Sequence, residues 1–150
     1  MKTIADLHIH SRFSMATSKE GTPENLDFWA RKKGISLIGT GDFTHPVWRE
    51  ELKKRLIAEG NSLYRLRDEY VKEESRKFPG EGTHFVVSGE ISSIYKKNGK
   101  TRKVHNVILL PSLEAADAMA QHLEKIGNIH SDGRPILGLD SHDLLEMMLD

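Results

Sequence analysis

In Thr3-Ile4-Ala5-Asp6-Leu7-His8-Ile9-His10 apolar and polar residues alternate strictly from Ala5 onward. A period of two predicts a strand, with Leu7 and Ile9 on one face and Asp6, His8 and His10 on the other. A polar loop follows through Gly21. Thr22-Pro23 then predicts a helix start, where the hydroxyl caps the first N–H groups and proline suits the first helical position. Leu26, Trp29 and Ala30 form its apolar stripe, and Gly34 stands where such a helix ends. Ile35-Ser36-Leu37-Ile38-Gly39 reads as a short buried strand that opens into a loop, Thr40-Gly41-Asp42-Phe43-Thr44-His45-Pro46. Residues 48–77 are dense in Glu, Lys, Arg and Leu and are predicted as one or two helices. Gly60-Asn61-Ser62 is the expected break, with Asn61 or Ser62 capping the second helix. Residues 85–91 read as a strand. Lys97-Asn98-Gly99-Lys100, flanked by Ile94-Tyr95 and residues 104–110, predicts a β-hairpin. Residues 112–126 are predicted as a helix with Leu113, Ala116, Met119, Ala120 and Leu123 on one face. A loop over residues 127–135 precedes a final helix capped by Asp140 or Ser141 and carrying Leu144, Leu145 and Met148.

Recurring strand, loop and helix argue for an α/β fold with a largely parallel sheet. Function in such folds collects in loops beyond the C-terminal ends of strands. The 150 residues suit one domain, and 37% hydrophobic with 29% charged residues suits a folded chain. Cysteine is absent, which excludes a disulfide scaffold, a thiolate zinc finger and a cysteine nucleophile from these residues. No apolar run approaches the roughly 18–20 residues that span a bilayer. The N-terminus turns polar at once, unlike a signal peptide, so no membrane partner and a cytoplasmic location are expected. Formal net charge is zero, but residues 1–110 hold 20 basic and 14 acidic side chains, whereas residues 111–150 hold 2 and 8. A phosphate-bearing partner would therefore prefer the first part.

His8-Ile9-His10 carries the sharpest local chemistry. Two histidines two residues apart on a strand project from one face, within reach of one ion, and neutral imidazole is a good ligand for zinc, manganese or iron. Alone the pair is a weak signal, better explained by two ordinary histidines. Asp42 and His45 follow the second strand, Glu90 ends the third behind a glycine, and His105 opens the next. Singly these read as a turn residue, a strand end or a sheet histidine. Together, carboxylates and imidazoles at one end of successive strands suit a cluster of divalent ions.

Asp6-Leu7-His8-Ile9-His10-Ser11 resembles the first motif of the polymerase and histidinol phosphatase (PHP) superfamily. Gly41-Asp42 resembles the second motif, Ser88-Gly89-Glu90 its Gly-x-Glu element, and residues 104–111 the element with a further ligand histidine. Residues 11–19, 22–26, 39–46 and 127–138 resemble the endonuclease Q family in particular, and the likeness runs over essentially the whole chain. The resemblance implies a distorted (β/α)7 TIM-like barrel of PHP type, of which these 150 residues are the N-terminal part, together with a β-hairpin. It implies a cluster of two or three divalent ions, zinc or manganese, held by His8, His10, Glu90 and His105, with Asp42 as a ligand or behind one. Asp42 and Glu90 would be the catalytic carboxylates. The implied activity is hydrolysis of DNA on the 5′ side of a deaminated base or abasic site, in DNA repair.

Three departures stand out, the first being Met15-Ala16 where the superfamily's first motif usually continues to an Asp or His. Phe43 follows Asp42 where the superfamily usually has histidine; either His45 assumes that role or that ligand is missing. The later ligand histidine and the final Asp-x-His motif have no clear counterpart, because Asp140-Ser141-His142 opens a helix. The chain is therefore expected to be the first portion of a longer barrel.

Basic side chains would hold DNA phosphates. Lys96, Lys97, Lys100, Arg102 and Lys103 cluster on the hairpin, and Arg12 and Lys19 follow the histidine pair. A solvated hairpin tip is the plainer explanation of the first five. Phe13, Phe43 and Trp48 are candidates for stacking on an extruded base, with a helix-start anchor in the core as the plainer reading of Trp48. The competing functions are a PHP phosphatase for a small phosphomonoester, and a non-catalytic fragment that binds metal or nucleic acid.

Overall fold

Strand β5 (His84–Lys97) is the spine of the chain, and its composition says why. Phe85, Val87 and Ile91 are fully buried, and the small Ser88, Ser92 and Ser93 are buried alongside them. A strand covered on both faces takes apolar and small residues throughout, rather than alternating. In this computed structural model, which describes residues 2–149, β5 belongs to a seven-stranded sheet. Met1, at the polar N-terminus, and Asp150 lie outside the described residues.

The sheet is α/β but mixed. β1 (Ala5–Asp6) pairs parallel with β2 (Leu37–Gly39), and β2 pairs parallel with the start of β5. Farther along, β5 pairs parallel with β7 (Ile136–Leu137). The antiparallel members are β3 (Leu56–Gly60), β4 (Leu63–Leu66) and β6 (Lys100–Leu110). The expected strand over residues 3–10 pairs only at Ala5 and Asp6, and the chain beyond is not hydrogen-bonded as strand. No helix among the described residues is long and apolar enough to cross a membrane.

Helices α1 (Pro23–Lys33), α2 (Pro46–Arg55), α3 (Leu113–Glu124) and α4 (Ser141–Leu149) accompany the sheet. The caps expected at Thr22 and Gly34 form, and Ser112 adds one that was not predicted. Thr22 Oγ1 accepts from the Asn25 N–H at 3.3 Å, Ser112 Oγ accepts from Ala115 at 3.1 Å, and Gly34 closes α1 in the left-handed region. The predicted α3 face is buried as a unit. On α1 the stripe differs: Ala30 and Asp27 face the core, while Trp29 is 50% exposed under the Lys32 ammonium.

The long helical segment expected over residues 48–77 is not there. Helix α2 stops at Arg55, and β3 and β4 form a hairpin. Asn61 and Ser62 do not cap a helix; both take positive φ, 51° and 62°, and form the turn between the strands. Two left-handed residues match the twist of an antiparallel pair. Leu56, Tyr64 and Leu66 bury one face of it. The charged residues that suggested a helix lie on its wet side, and two short 3₁₀ turns follow, Asp68–Tyr70 and Glu73–Lys77.

The β5–β6 hairpin forms as predicted, with Asn98 and Gly99 at φ 53° and 72°. Its register pairs Ser92 with His105 and Glu90 with Val107. His105 and Glu90 thus lie diagonally across one face, within reach of each other.

Phe43, Trp48 and Leu52 are fully buried against the sheet. A ring at Phe43 is compatible only with glycine at 89, where an added Cβ would sit 2.5 Å from Phe43 Cδ1. Gly89→Ala is expected to destabilise the fold by about 1–3 kcal/mol. Calorimetry should show this as a Tm decrease of about 2–12 °C for a chain of this size.

Candidate metal centre

Glu90 is the hub of the site. It follows Gly89 on β5, and its side chain is only 2% exposed. His8 Nε2 donates to Glu90 Oε2 at 2.7 Å, His105 Nδ1 bonds Glu90 Oε1, and His10 Nε2 lies 3.2 Å from Oε2. Alternation along the N-terminal segment brings His8 and His10 to the same side, with ring centroids 5.4 Å apart. Burial disfavours the Glu90 charge, but the hydrogen bonds from His8 and His105 outweigh it and hold the carboxyl below its ordinary range.

Asp42 stands behind His10. It is fully buried and adopts φ 52° at the turn after β2. Its Oδ1 accepts from His10 Nδ1 at 3.0 Å. Its Oδ2 accepts from the Ser11 N–H at 2.7 Å, the Ser11 hydroxyl at 2.6 Å and the Ser14 hydroxyl at 2.9 Å. With both oxygens engaged, Asp42 orients the His10 ring and leaves its Nε2 facing Glu90. A carboxylate holding the far nitrogen of an imidazole is the usual support of a metal-binding histidine. Gly133 is needed at its back, since a Cβ there would lie 2.4 Å from Asp42 Cγ.

One ligand atom each from His8, His10 and Glu90 lies within 4.8 Å of the others. His105 adds a third imidazole on the second oxygen of Glu90. A buried carboxylate ringed by three imidazoles, one of them fixed through its remote nitrogen, is a fitting donor set for a divalent ion.

His45 does not join them. It is buried, it stacks on Phe13 with centroids 4.3 Å apart, and its Nδ1 lacks a hydrogen-bond partner. Burial lowers its pKa, against a hydrogen bond to the His130 backbone and the charge of Asp42. The position after Asp42 is thus core, filled by Phe43, with no imidazole replacing it. Phe43 and Trp48 are fully buried and cannot stack on a base, and Trp48 Nε1 donates to the Gly41 carbonyl at 2.9 Å. Asp140 caps α4, accepting from the His142 N–H at 2.8 Å, and pairs with Lys97 at 3.1 Å.

The basic candidates divide. Lys96, Lys100, Arg102 and Lys103 are exposed on the hairpin, as is Lys19 in its loop. Lys97 is tied to Asp140, and Arg12 is tied to Glu51 at 2.8 Å and lies over the Phe13 ring. Residues missed from the sequence are Ser11 and Ser14, which anchor Asp42, and Arg134, whose Nη1 is 4.0 Å from Glu90 Oε1. All three sit in loops without periodicity, where only the density of motif-like residues marks them.

No protein-family model matches the chain. An uncharacterized protein of Methanocaldococcus jannaschii is 34% identical over 146 residues, covering 97% of this chain and 14% of that protein. The crystal structure of the lesion-specific endonuclease PfuEndoQ from Pyrococcus furiosus superposes with TM-score 0.75 at 29% identity, covering 97% of this chain. An endonuclease Q complex with a 27-mer duplex bearing an abasic lesion at its active site superposes with TM-score 0.72, also at 29% identity, covering 95% of this chain. The chain spans 31% of each of those two chains. In sequence and in structure it thus resembles endonuclease Q, and its α/β architecture is of that protein's PHP type.

Proposed function

We propose that the chain is part of a metal-dependent DNA endonuclease of the endonuclease Q kind, which hydrolyses the phosphodiester 5′ of a deaminated base or abasic site. The observation that carries this reading is the buried Glu90 carboxylate gripped by His8, His10 and His105 on a fold shared with a lesion-specific endonuclease. His8, His10, Glu90 and His105 would hold the divalent metal, zinc or manganese. When bound there, it supplies a bound water of lowered pKa and neutralises charge on the phosphate.

The chain's own residues do the rest. Asp42 keeps the Nδ1 proton of His10, so that Nε2 presents its lone pair to the site. Asp42 is therefore a positioning residue, and Glu90 is the carboxylate at the reacting centre. The exposed hairpin cations Lys96, Lys100 and Arg102 would hold flanking phosphates. A cytoplasmic setting, where DNA is the partner, goes with this reading.

The test is a panel of duplexes containing a single uracil, hypoxanthine or abasic site, beside undamaged duplex and a phosphomonoester, with zinc or manganese. The expected result is a cut 5′ of the lesion and none in undamaged DNA. Hydrolysis of the phosphomonoester with all duplexes intact would remove the endonuclease reading.

A further inference from the structure

Beside the metal centre lies a pocket of about 220 Å³, lined among others by Met15, Ile94, Lys103, His105, Arg134 and Ile136. We propose that Arg134, with Lys103, forms a phosphate-holding site in this pocket that grips the ester to be cleaved. The identity of the ester as DNA rests on the function proposed above, whereas the phosphate chemistry rests on the pocket.

Arg134 is presented by a segment pinned at several points. The Asp132 carboxylate accepts from the Arg134 N–H at 2.8 Å and from the Met15 N–H at 3.3 Å. The Gly133 N–H donates to the Phe13 carbonyl at 3.0 Å, and its carbonyl accepts from the Thr44 hydroxyl at 3.2 Å. The Pro135 carbonyl accepts from the Ser92 N–H at 3.0 Å. These bonds tie the segment to the loops after β1 and β2 and to β5. The backbone that carries Arg134 is therefore set by the same loops that set Asp42 and His10.

The guanidinium itself is not spent. Its nearest carboxylate, Glu90 Oε1, is 4.0 Å away, beyond hydrogen-bond distance, and that carboxylate already receives imidazoles. Its side-chain N–H donors make no hydrogen bond among the described residues. Arginine offers five donors in a planar fork that matches two phosphate oxygens. Lys103 reaches the pocket from β6, two residues before His105 and so on the same face. Two cations and a metal-binding cluster around one pocket suit an anionic, tetrahedral phosphoryl group.

Calorimetric titration of inorganic phosphate into the zinc-loaded full chain tests this without turnover. Arg134→Ala is expected to weaken phosphate binding by about 10–100-fold, the loss for a charge-assisted pair, with zinc content unchanged. Arg134→Lys should recover only part, because an ammonium cannot fork. Lys103→Ala, on the exposed hairpin, should weaken binding by less and leave the fold intact. On an abasic duplex, Arg134→Ala should lower the slope of log affinity against log salt by about one. Phosphate affinity within twofold of wild type in Arg134→Ala, loss of zinc from that variant, or no phosphate binding by the wild-type chain overturns the proposal. Phosphate binding that depends on Arg134, in a chain that neither binds nor cuts the lesion duplexes, upholds the pocket and removes the DNA reading.

Discussion

Glu90→Ala is expected to leave the chain folded but unable to retain divalent metal, with phosphodiester hydrolysis reduced on the order of 10³-fold or more. The magnitude follows from the position of the carboxylate. His8, His10 and His105 come from two distant segments, and Glu90 is the group that all three face. Without it the site has three imidazoles, no charge to balance the cation, and no anchor holding the rings together. The fold should survive, because its core is built from Phe43, Trp48, Phe85, Ile91 and their neighbours rather than from the polar cluster. Metal content after gel filtration checks the first half, and strand cleavage checks the second. Stoichiometric metal in a folded Glu90→Ala protein would count against Glu90 as the hub.

Asp42→Ala is expected to damage both stability and metal binding. It leaves the Ser11 N–H, the Ser11 and Ser14 hydroxyls and His10 Nδ1 without their acceptor, in a region where Ser11 is fully buried and Ser14 nearly so. Orphaning buried donors of a charged acceptor costs about 3–5 kcal/mol, or about 6–20 °C in Tm for this length. Loss of the support behind His10 should weaken metal affinity by a further factor of about 10–100. Asp42→Asn separates the two effects. It keeps the volume against Gly133 and one acceptor oxygen, so the Tm loss should shrink while the metal defect persists. Thermal melts and metal titration of both variants read this directly.

Much of the site could be read before the structure, because it depends on short-range geometry. Alternation alone placed His8 and His10 on one face. The Asn98-Gly99 turn fixes the register of the hairpin, and counting back from it pairs Ser92 with His105, which sets His105 diagonal to Glu90. The caps at Thr22 and at Asp140, one of the two residues expected there, were legible for the same local reason.

What was not legible depends on contacts between distant segments. Residues 56–66 carry enough Glu, Arg and Leu to resemble a helix. Only the burial of Leu56, Tyr64 and Leu66 against neighbouring elements makes them a hairpin. His45 has the right chemistry in the right loop, yet packing turns it onto Phe13. Asp42 reads as a ligand or as the carboxylate behind one, and only the bonds from Ser11 and Ser14, about thirty residues earlier, engage its Oδ2. Arg134 lies in a segment with no periodicity, and its place beside Glu90 is set by hydrogen bonds to three different parts of the chain.

His8, His10, Glu90 and His105 are expected to hold a divalent metal. Anomalous diffraction from crystals of the zinc-loaded chain tests it most directly. The expected result is an anomalous peak about 2.0–2.2 Å from His8 Nε2, His10 Nε2 and a Glu90 oxygen, with His10 Nδ1 still on Asp42. Zinc-loaded crystals with no peak among these side chains, and the histidines still bonded to Glu90, would contradict it.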